Sequence, residues 1–225
     1  MLTMQRQLIK IPCDGRKIEG MLELPEHPVG VVLFAHGSGS SRFSPRNNYV
    51  AAVLHGARIA SVLLDLLTPE EDQDYQMRFD IALLAQRLDG AYQYLRQQEK
   101  TRRLPIALFG ASTGAAAALR LAARRGTEIA AVVSRGGRPD LAGEEILASV
   151  SAPTLLIVGG DDQVVIELNR LAYQAMQCEK RLDIVPGATH LFEEPGKLQV
   201  VAKLAVEWVQ SHLAAANEQA GPGSH

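Results

Sequence analysis

The sequence predicts a single α/β domain with a mainly parallel central sheet and helices on both faces. Three observations lead there. Short apolar runs of strand length alternate with longer segments of helical spacing. Some of these runs, Val29 to Ala35 above all, are continuously apolar, as strands covered on both faces are. The chain has 225 residues, 47% of them hydrophobic, which is enough for one sizeable core, and it shows no internal repeat and no dividing linker. The domain is expected over residues 1–213, with a polar, Gly/Pro-containing mobile tail over 214–225.

The elements follow in order. Gln7 to Ile11 and Lys17 to Leu24 read as two strands joined at Cys13-Asp14-Gly15, where Asp-Gly supplies the turn. Val29 to Ala35 is a buried strand ending in His36-Gly37-Ser38-Gly39, and a helix is expected from about Pro45 to His55. Ile59 to Leu64 is the next strand, followed by an acidic loop over Thr68 to Tyr75. Met77 to Gln98 is helical, because Ile81, Leu84, Leu88, Tyr92 and Leu95 share one face. Ile106 to Phe109 is a strand and Ser112 to Arg125 an Ala/Leu-rich helix. Ala130 to Val133, Thr154 to Val158 and Arg181 to Val185 complete the strands; helices are expected over Leu141 to Ala148, Ile166 to Gln177 and Lys197 to Leu213. The last helix is expected to turn Val200, Leu204, Trp208 and Val201 inward.

Composition excludes several classes. A formal net charge of −2 with mixed signs gives no electrostatic case for nucleic acid or an anionic membrane. Two separated cysteines, Cys13 and Cys178, provide neither a disulfide framework nor a thiolate zinc site and suit a reducing compartment. The start of the chain lacks a signal-peptide pattern, and no apolar run is long enough for a membrane span, so a cytoplasmic location is expected. Gly37-x-Gly39 lacks the third glycine of a dinucleotide fingerprint, since Arg42 stands there; the turn at Gly110 lacks the Gly-Lys-Ser/Thr of a P-loop.

Chemistry concentrates where predicted strands end, because ligands of open α/β sheets bind beyond the strands' carboxyl ends. Gly110-Ala-Ser112-Thr-Gly114 lies between a strand and a helix, the context in which Gly-x-Ser-x-Gly pushes a serine hydroxyl out of the sheet. Such a hydroxyl needs a base, and the base an orienting group. His190 follows a later strand and is the candidate base; Asp161 or Asp162, after the strand before it, is the candidate acid. Backbone N–H groups of Thr113 and Ser38 are the candidate oxyanion donors. Gly37, Arg42 and Arg135 are candidates for contact with substrate. The arginines, with Arg138, would hold a carboxylate; the plainer reading is that they are solvated loop residues. His36 is read as shaping the loop beside it, and Asp65 as orienting loops rather than doing chemistry. No metal and no organic cofactor is expected.

Four stretches carry a resemblance: Phe34-Ala-His-Gly-Ser-Gly39, Gly110-Ala-Ser-Thr-Gly114, Leu156 to Val165, and Gly187-Ala-Thr-His-Leu-Phe192. With the order serine, acid, histidine, the chain resembles a small hydrolase of the α/β-hydrolase superfamily, near its dienelactone hydrolase-like branch, from about residue 17 to residue 213. The resemblance implies a cap-free α/β-hydrolase fold and a Ser112–His190–Asp162 triad. Asp162 is preferred because the family's acid is followed three residues later by an apolar residue, here Val165; Asp161 with Val164 stays open. True dienelactone hydrolases resemble the pattern but use a cysteine where Ser112 stands. That favours small carboxylic esters, with thioesters or lactones as variants, over dienelactone itself. About twenty residues between the strands at Val133 and Thr154 leave no room for a helical cap. Two other readings remain: a non-catalytic small-molecule binding protein on the same fold, and an acyltransferase using the same triad. The sequence does not indicate an oligomeric state.

Overall fold

The computed structural model describes residues 4–219. The chain opens as a hairpin in which β1 (Met4–Cys13) and β2 (Arg16–Pro25) pair antiparallel. Asp14 and Gly15 both have positive φ, 49° and 73°, as a tight hairpin turn of this twist requires. β3 (Gly30–Ala35), α1 (Pro45–Gly56), β4 (Ile59–Leu64), α2 (Ile81–Gln97), β5 (Ile106–Ala111) and α3 (Thr113–Arg125) follow. β6 (Ile129–Arg135), α4 (Glu144–Ser149), β7 (Thr154–Gly159), α5 (Gln163–Ala175), β8 (Lys180–Val185) and α6 (Lys197–Gln219) complete the chain. All strands join one sheet in the order β1-β2-β4-β3-β5-β6-β7-β8. From β4 to β8 the neighbours run parallel, and β2 meets β4 antiparallel, so the sheet is mainly parallel, as expected.

Alternate residues of each central strand feed two separate cores. Val31, Leu33, Ala35, Leu108 and Val132 pack beneath α2 and α3, whereas Val32, Phe34, Phe109 and Val133 pack beneath α1 and α6. The near-continuous apolarity of these strands therefore has a plain cause: both faces are roofed. Ile81, Leu84, Leu88, Tyr92 and Leu95 of α2 all face the first core, as their spacing predicts.

Helix starts follow their caps. Ser44 Oγ accepts from Asn47 N at 3.3 Å and Pro45 occupies the first turn of α1. Asp80 accepts from Leu83 N at 3.0 Å, so α2 begins at Ile81, and Met77–Phe79 forms a separate 3-10 turn instead of the expected first helical turn. α6 differs from expectation in two ways. Its buried stripe is Val201, Ala202, Ala205, Trp208 and Val209, while Val200 is 42% exposed. It also continues to Gln219, past the boundary expected at Leu213. Leu213 is buried over Gly30, where a Cβ would come within 2.5 Å of Leu213 Cδ1, and Asn217 Nδ2 donates to Val29 O at 3.0 Å. Residues 214–219 are thus helix; the rest of the expected tail lies outside the described residues.

The connection from β6 to β7 contains only a 3-10 turn (Pro139–Ala142) and the short α4, so no helical cap is inserted there. Among the described residues no helix is long and apolar enough to cross a membrane.

Candidate active site

Ser112 stands between β5 and α3 with φ 51° and ψ −122°, a conformation that non-glycine residues rarely adopt. The bend is tight because small residues surround it. A Cβ on Gly114 would run into Ala35 O and His36 O, and one on Gly110 would meet Ala115 N at 2.7 Å. Backbone bonds hold the bend: Ser112 N donates to Arg135 O at 3.3 Å, and Arg138 N donates to Ser112 O at 3.0 Å. The Ser112 hydroxyl has no hydrogen-bond partner among the described residues, and it lies at the amino end of α3, where the helix dipole is positive.

The acid and histidine turns are tied together by backbone. Gly160 N donates to Val185 O at 2.8 Å and Asp161 N to Ala188 O at 3.0 Å. Any side chain on Gly159 would strike Ala188 O and Thr189 O, so glycine permits this approach. His190 Nδ1 is 2.7 Å from Asp162 Oδ2. A carboxylate can only accept, so Nδ1 carries the proton and Nε2 is left as a base. Asp161 has no such contact; of the two aspartates, Asp162 is the one brought to His190. The histidine loop is itself braced. Glu194 Oε1 accepts from Thr189 N at 3.1 Å and from Thr189 Oγ1 at 2.5 Å, and the Thr189 hydroxyl holds the Glu194 carboxyl below its ordinary range. Phe192 is buried, and Arg46 Nη1 pairs with Glu193 at 2.8 Å, linking the loop to α1.

Gly136 lies between serine and histidine. It follows Arg135, whose carbonyl holds Ser112, and a Cβ on it would lie 3.5 Å from His190 Cε1. Gly37 lies against the elbow, with its missing Cβ 3.0 Å from Ser112 Cβ. The structure thus brings together Ser112, Thr113, Asp162, His190, Gly37 and Ser38 at one edge of the sheet. Burial pushes the His36 imidazole down, so the ring is neutral. Its Nε2 accepts from Leu66 N at 3.0 Å and its Nδ1–H donates to Gly37 O at 2.8 Å, which staples the glycine loop to the end of β4. A small cleft beside this loop is lined by Gly37, Ser38, Gly39, Arg78 and Thr113.

Two of the expected groups are already engaged. Ser38 N–H donates to Thr113 Oγ1 at 3.0 Å, a bond that an incoming oxyanion would have to replace. Arg42 is not a free cation: it pairs with Asp65 and with Glu19, the latter at 2.8 Å, and its own N–H donates to Asp65 Oδ1 at 2.7 Å. Asp65 accordingly orients the loop. Arg138 is likewise engaged, by Asp140 at 2.8 Å. Arg135, by contrast, is buried and carries no ion pair among the described residues. Arg46, Glu193 and Glu194 have no counterpart in the sequence reading; their contacts pair distant segments or depend on a loop's detailed path. Among the described residues no group of three His, Cys, Asp or Glu side chains is arranged to hold a metal.

Comparison with known proteins gives a family. The Dienelactone hydrolase family profile matches residues 67–220. A dienelactone hydrolase from Anabaena variabilis, known from its crystal structure, is 52% identical with a TM-score of 0.90, covering 92% of this chain and 98% of that one. Est1E from Butyrivibrio proteoclasticus, solved with ferulic acid bound, has a TM-score of 0.79 at 16% identity, covering 92% of this chain and 99% of that one. At that identity the likeness is one of fold. In two strains of Mycobacterium tuberculosis, proteins named "Putative phosphoribosyl transferase" are 57% identical over 206 residues. The match covers 92% of this chain but 45% of each of those proteins, so the chain spans about half the length of the curated relatives it matches.

Proposed function

The chain belongs to the dienelactone hydrolase family, and on that premise we propose that it is a serine hydrolase of small carboxylic esters working through an acyl-enzyme. The observation that carries the reading is the Asp162–His190 pair at 2.7 Å; a serine in a strained strand-to-helix turn at the carboxyl end of β5 supports it. In this mechanism Ser112 Oγ attacks the ester carbonyl carbon as its proton passes to His190 Nε2. Asp162 keeps the imidazole in the right tautomer and stabilises its cation. The tetrahedral intermediate collapses; the C–O bond to the alcohol breaks, and His190 returns the proton to the leaving oxygen. Water then repeats the sequence on the acyl-enzyme and releases the acid. Thr113 N–H, at the head of α3, faces the developing oxyanion, and Ser38 N–H joins it by exchanging Thr113 Oγ1 for the substrate oxygen. Thioesters and lactones fit the same steps. The short connection between β6 and β7 supports small or accessible substrates.

The transferase name of the mycobacterial relatives belongs to proteins about twice as long (the match covers 45% of them), and we do not carry it to this chain. The test is a panel of short-chain p-nitrophenyl esters with wild type, Ser112→Ala and His190→Ala. Each variant should lose on the order of 10³-fold or more in kcat, because the triad acts as a unit. Retained activity in Ser112→Ala would remove the serine from the mechanism. A wild type that is inert to the panel and unlabelled by a serine-reactive phosphonate would favour the binding-protein reading.

A further inference from the structure

α5 begins at the candidate acid. Asp162 is the residue before its first turn, yet the Asp162 side chain makes no capping bond to the helix, because its carboxylate is turned to His190. About two turns further along the same helix stands Asn169, fully buried. Asparagine is a poor helix former, and a buried side-chain amide has to find its partners inside the protein. Both amide hydrogens are used. Asn169 Nδ2 donates to Val165 O, one turn back, at 2.8 Å, and across to Gly137 O at 3.0 Å. The Asn169 Oδ1 is buried with no partner among the described residues. Plain packing would be served better by leucine, which has no amide oxygen to leave unpaired. What the asparagine adds is the bond to Gly137.

Gly137 belongs to the segment that leaves β6 and runs between the serine and histidine turns. No backbone N–H among the described residues donates to Gly137 O, so Asn169 is what holds it. The segment is pressed against the elbow: a Cβ on Gly137 would overlap Ser134 Oγ and come within 2.6 Å of Ala115 Cβ. The residue after it, Arg138, donates its N–H to Ser112 O at 3.0 Å. The residue before it, Gly136, donates to Ile157 O at 2.8 Å, and its missing Cβ lies 3.1 Å from His190 O. One side chain therefore ties the helix that starts at the acid to the peptide that holds the serine and faces the histidine. We infer that Asn169 is a positioning residue of the hydrolase: through Gly137 it fixes the spacing between Ser112 and the Asp162–His190 pair. The inference rests on the reading of the site as a Ser112–His190–Asp162 hydrolase and adds a residue outside the triad that sets its geometry. The triad needs such a tie because its members come from separate turns, after β5, β7 and β8. The proton passes from serine to histidine only at hydrogen-bond distance, and a misplacement of ~1 Å costs up to about 10²-fold in rate.

The test pairs Asn169→Leu, which keeps the bulk and removes the donor, with Asn169→Ala. Leu213→Ala, a packing loss over Gly30 at the start of β3, is the control. On the p-nitrophenyl ester that wild type hydrolyses fastest, both Asn169 variants should lose about tenfold or more in kcat with KM within about threefold of wild type, and Leu213→Ala should keep its kcat. A purely structural asparagine predicts full kcat in every folded variant. If Asn169→Leu does not fold, Asn169→Ala decides by the same comparison. Native-state amide exchange reads the tie without turnover. In the Asn169 variants the Arg138 N–H should exchange about tenfold faster than in wild type, beyond any change at the Leu88 N–H of α2, because the opening becomes local. Unchanged kcat in both variants, or an Arg138 amide that moves only in step with Leu88, overturns the inference and leaves the hydrolase standing. A wild type inert to every ester counts against the hydrolase instead, and the exchange ratio alone then decides whether Asn169 holds the peptide behind Ser112.

Discussion

The backbone of Ser112 makes a prediction that few positions allow: replacing it by glycine should stabilise the protein while silencing it. Its φ of 51° and ψ of −122° are held by the contacts around Gly110 and Gly114 and by two backbone hydrogen bonds. Such a conformation costs a non-glycine residue ~1–3 kcal/mol. Glycine removes that cost but adds ~0.5–1 kcal/mol of extra chain entropy in the unfolded state. Alanine keeps the Cβ, and with it the strain. The hydroxyl makes no hydrogen bond within the protein among the described residues, so its loss contributes little to either variant. Ser112→Gly should therefore exceed Ser112→Ala in stability by ~1 kcal/mol, the reverse of the usual order of these residues, which amounts to about 2–4 °C in Tm for a domain this size. Urea unfolding of both variants, with ester hydrolysis as the parallel readout, measures it. A glycine variant less stable than the alanine variant would refute the claim that the elbow is strained.

Other outcomes follow from geometry. Asp162→Asn should lower kcat by about 10³-fold or more, whereas Asp161→Asn should stay within about threefold of wild type, because only Asp162 touches His190; equal losses would show that the two share the role. Leu213→Ala should cost ~2–4 kcal/mol in chemical denaturation, as a buried leucine over Gly30 rather than part of a tail, and a loss below about 0.5 kcal/mol would contradict its packing. His36 is neutral and buried in the folded chain, with its pKa lowered, whereas in the unfolded chain it titrates near ~6.5. Its stabilising contribution is complete above about pH 6.5 and is lost as pH falls from there toward the folded-state pKa, at up to ~1.4 kcal/mol per pH unit. His55, pushed down by burial, adds to the same window, with Glu23 opposing in part. Denaturation between about pH 8 and pH 5 should show a shallower loss in His36→Gln than in wild type; parallel slopes would count against the buried neutral ring.

Much of this was legible in the residues because it is local. Asp14-Gly15 writes its own turn, and Gly-x-Ser-x-Gly between an apolar run and an Ala-rich segment writes its own elbow. The α2 stripe was readable because Ile81, Leu84, Leu88, Tyr92 and Leu95 hold one helical spacing along the helix, with Gln86, Arg87, Asp89, Gln93 and Arg96 between them. In α6 the adjacent Val200 and Val201 are both apolar, so phase could not be read and only packing against the sheet decided it. The choice between Asp161 and Asp162 was open for a similar reason: neighbours in sequence, they are separated by a backbone bond from Asp161 N to Ala188 O that places the second one against the imidazole. What sequence could not hold is pairing across distance. Arg46 with Glu193, Arg42 with Asp65 and Glu19, and Arg135 with no carboxylate among the described residues, look alike as arginines at the ends of elements or on loops. Only the fold distinguishes a compensated charge from an orphan.

The segregation of odd and even strand residues into two cores has a consequence for evolution of the site. Along β5, Leu108 belongs to one core and Phe109 to the other, where it stacks near Phe34 at 4.8 Å. Along β6, Ser134 turns toward Gly137 and Ala115, and Arg135 toward α1. The aim of every group at the carboxyl edge is therefore a matter of parity. One residue inserted or deleted within β5 would exchange the two hydrophobic faces and swing the elbow away from His190 in a single event. Loops at that edge can change length without such a penalty. Diversification of a scaffold like this one is thereby channelled into its connections, with the strands acting as a fixed ruler from which the reactive groups are measured off.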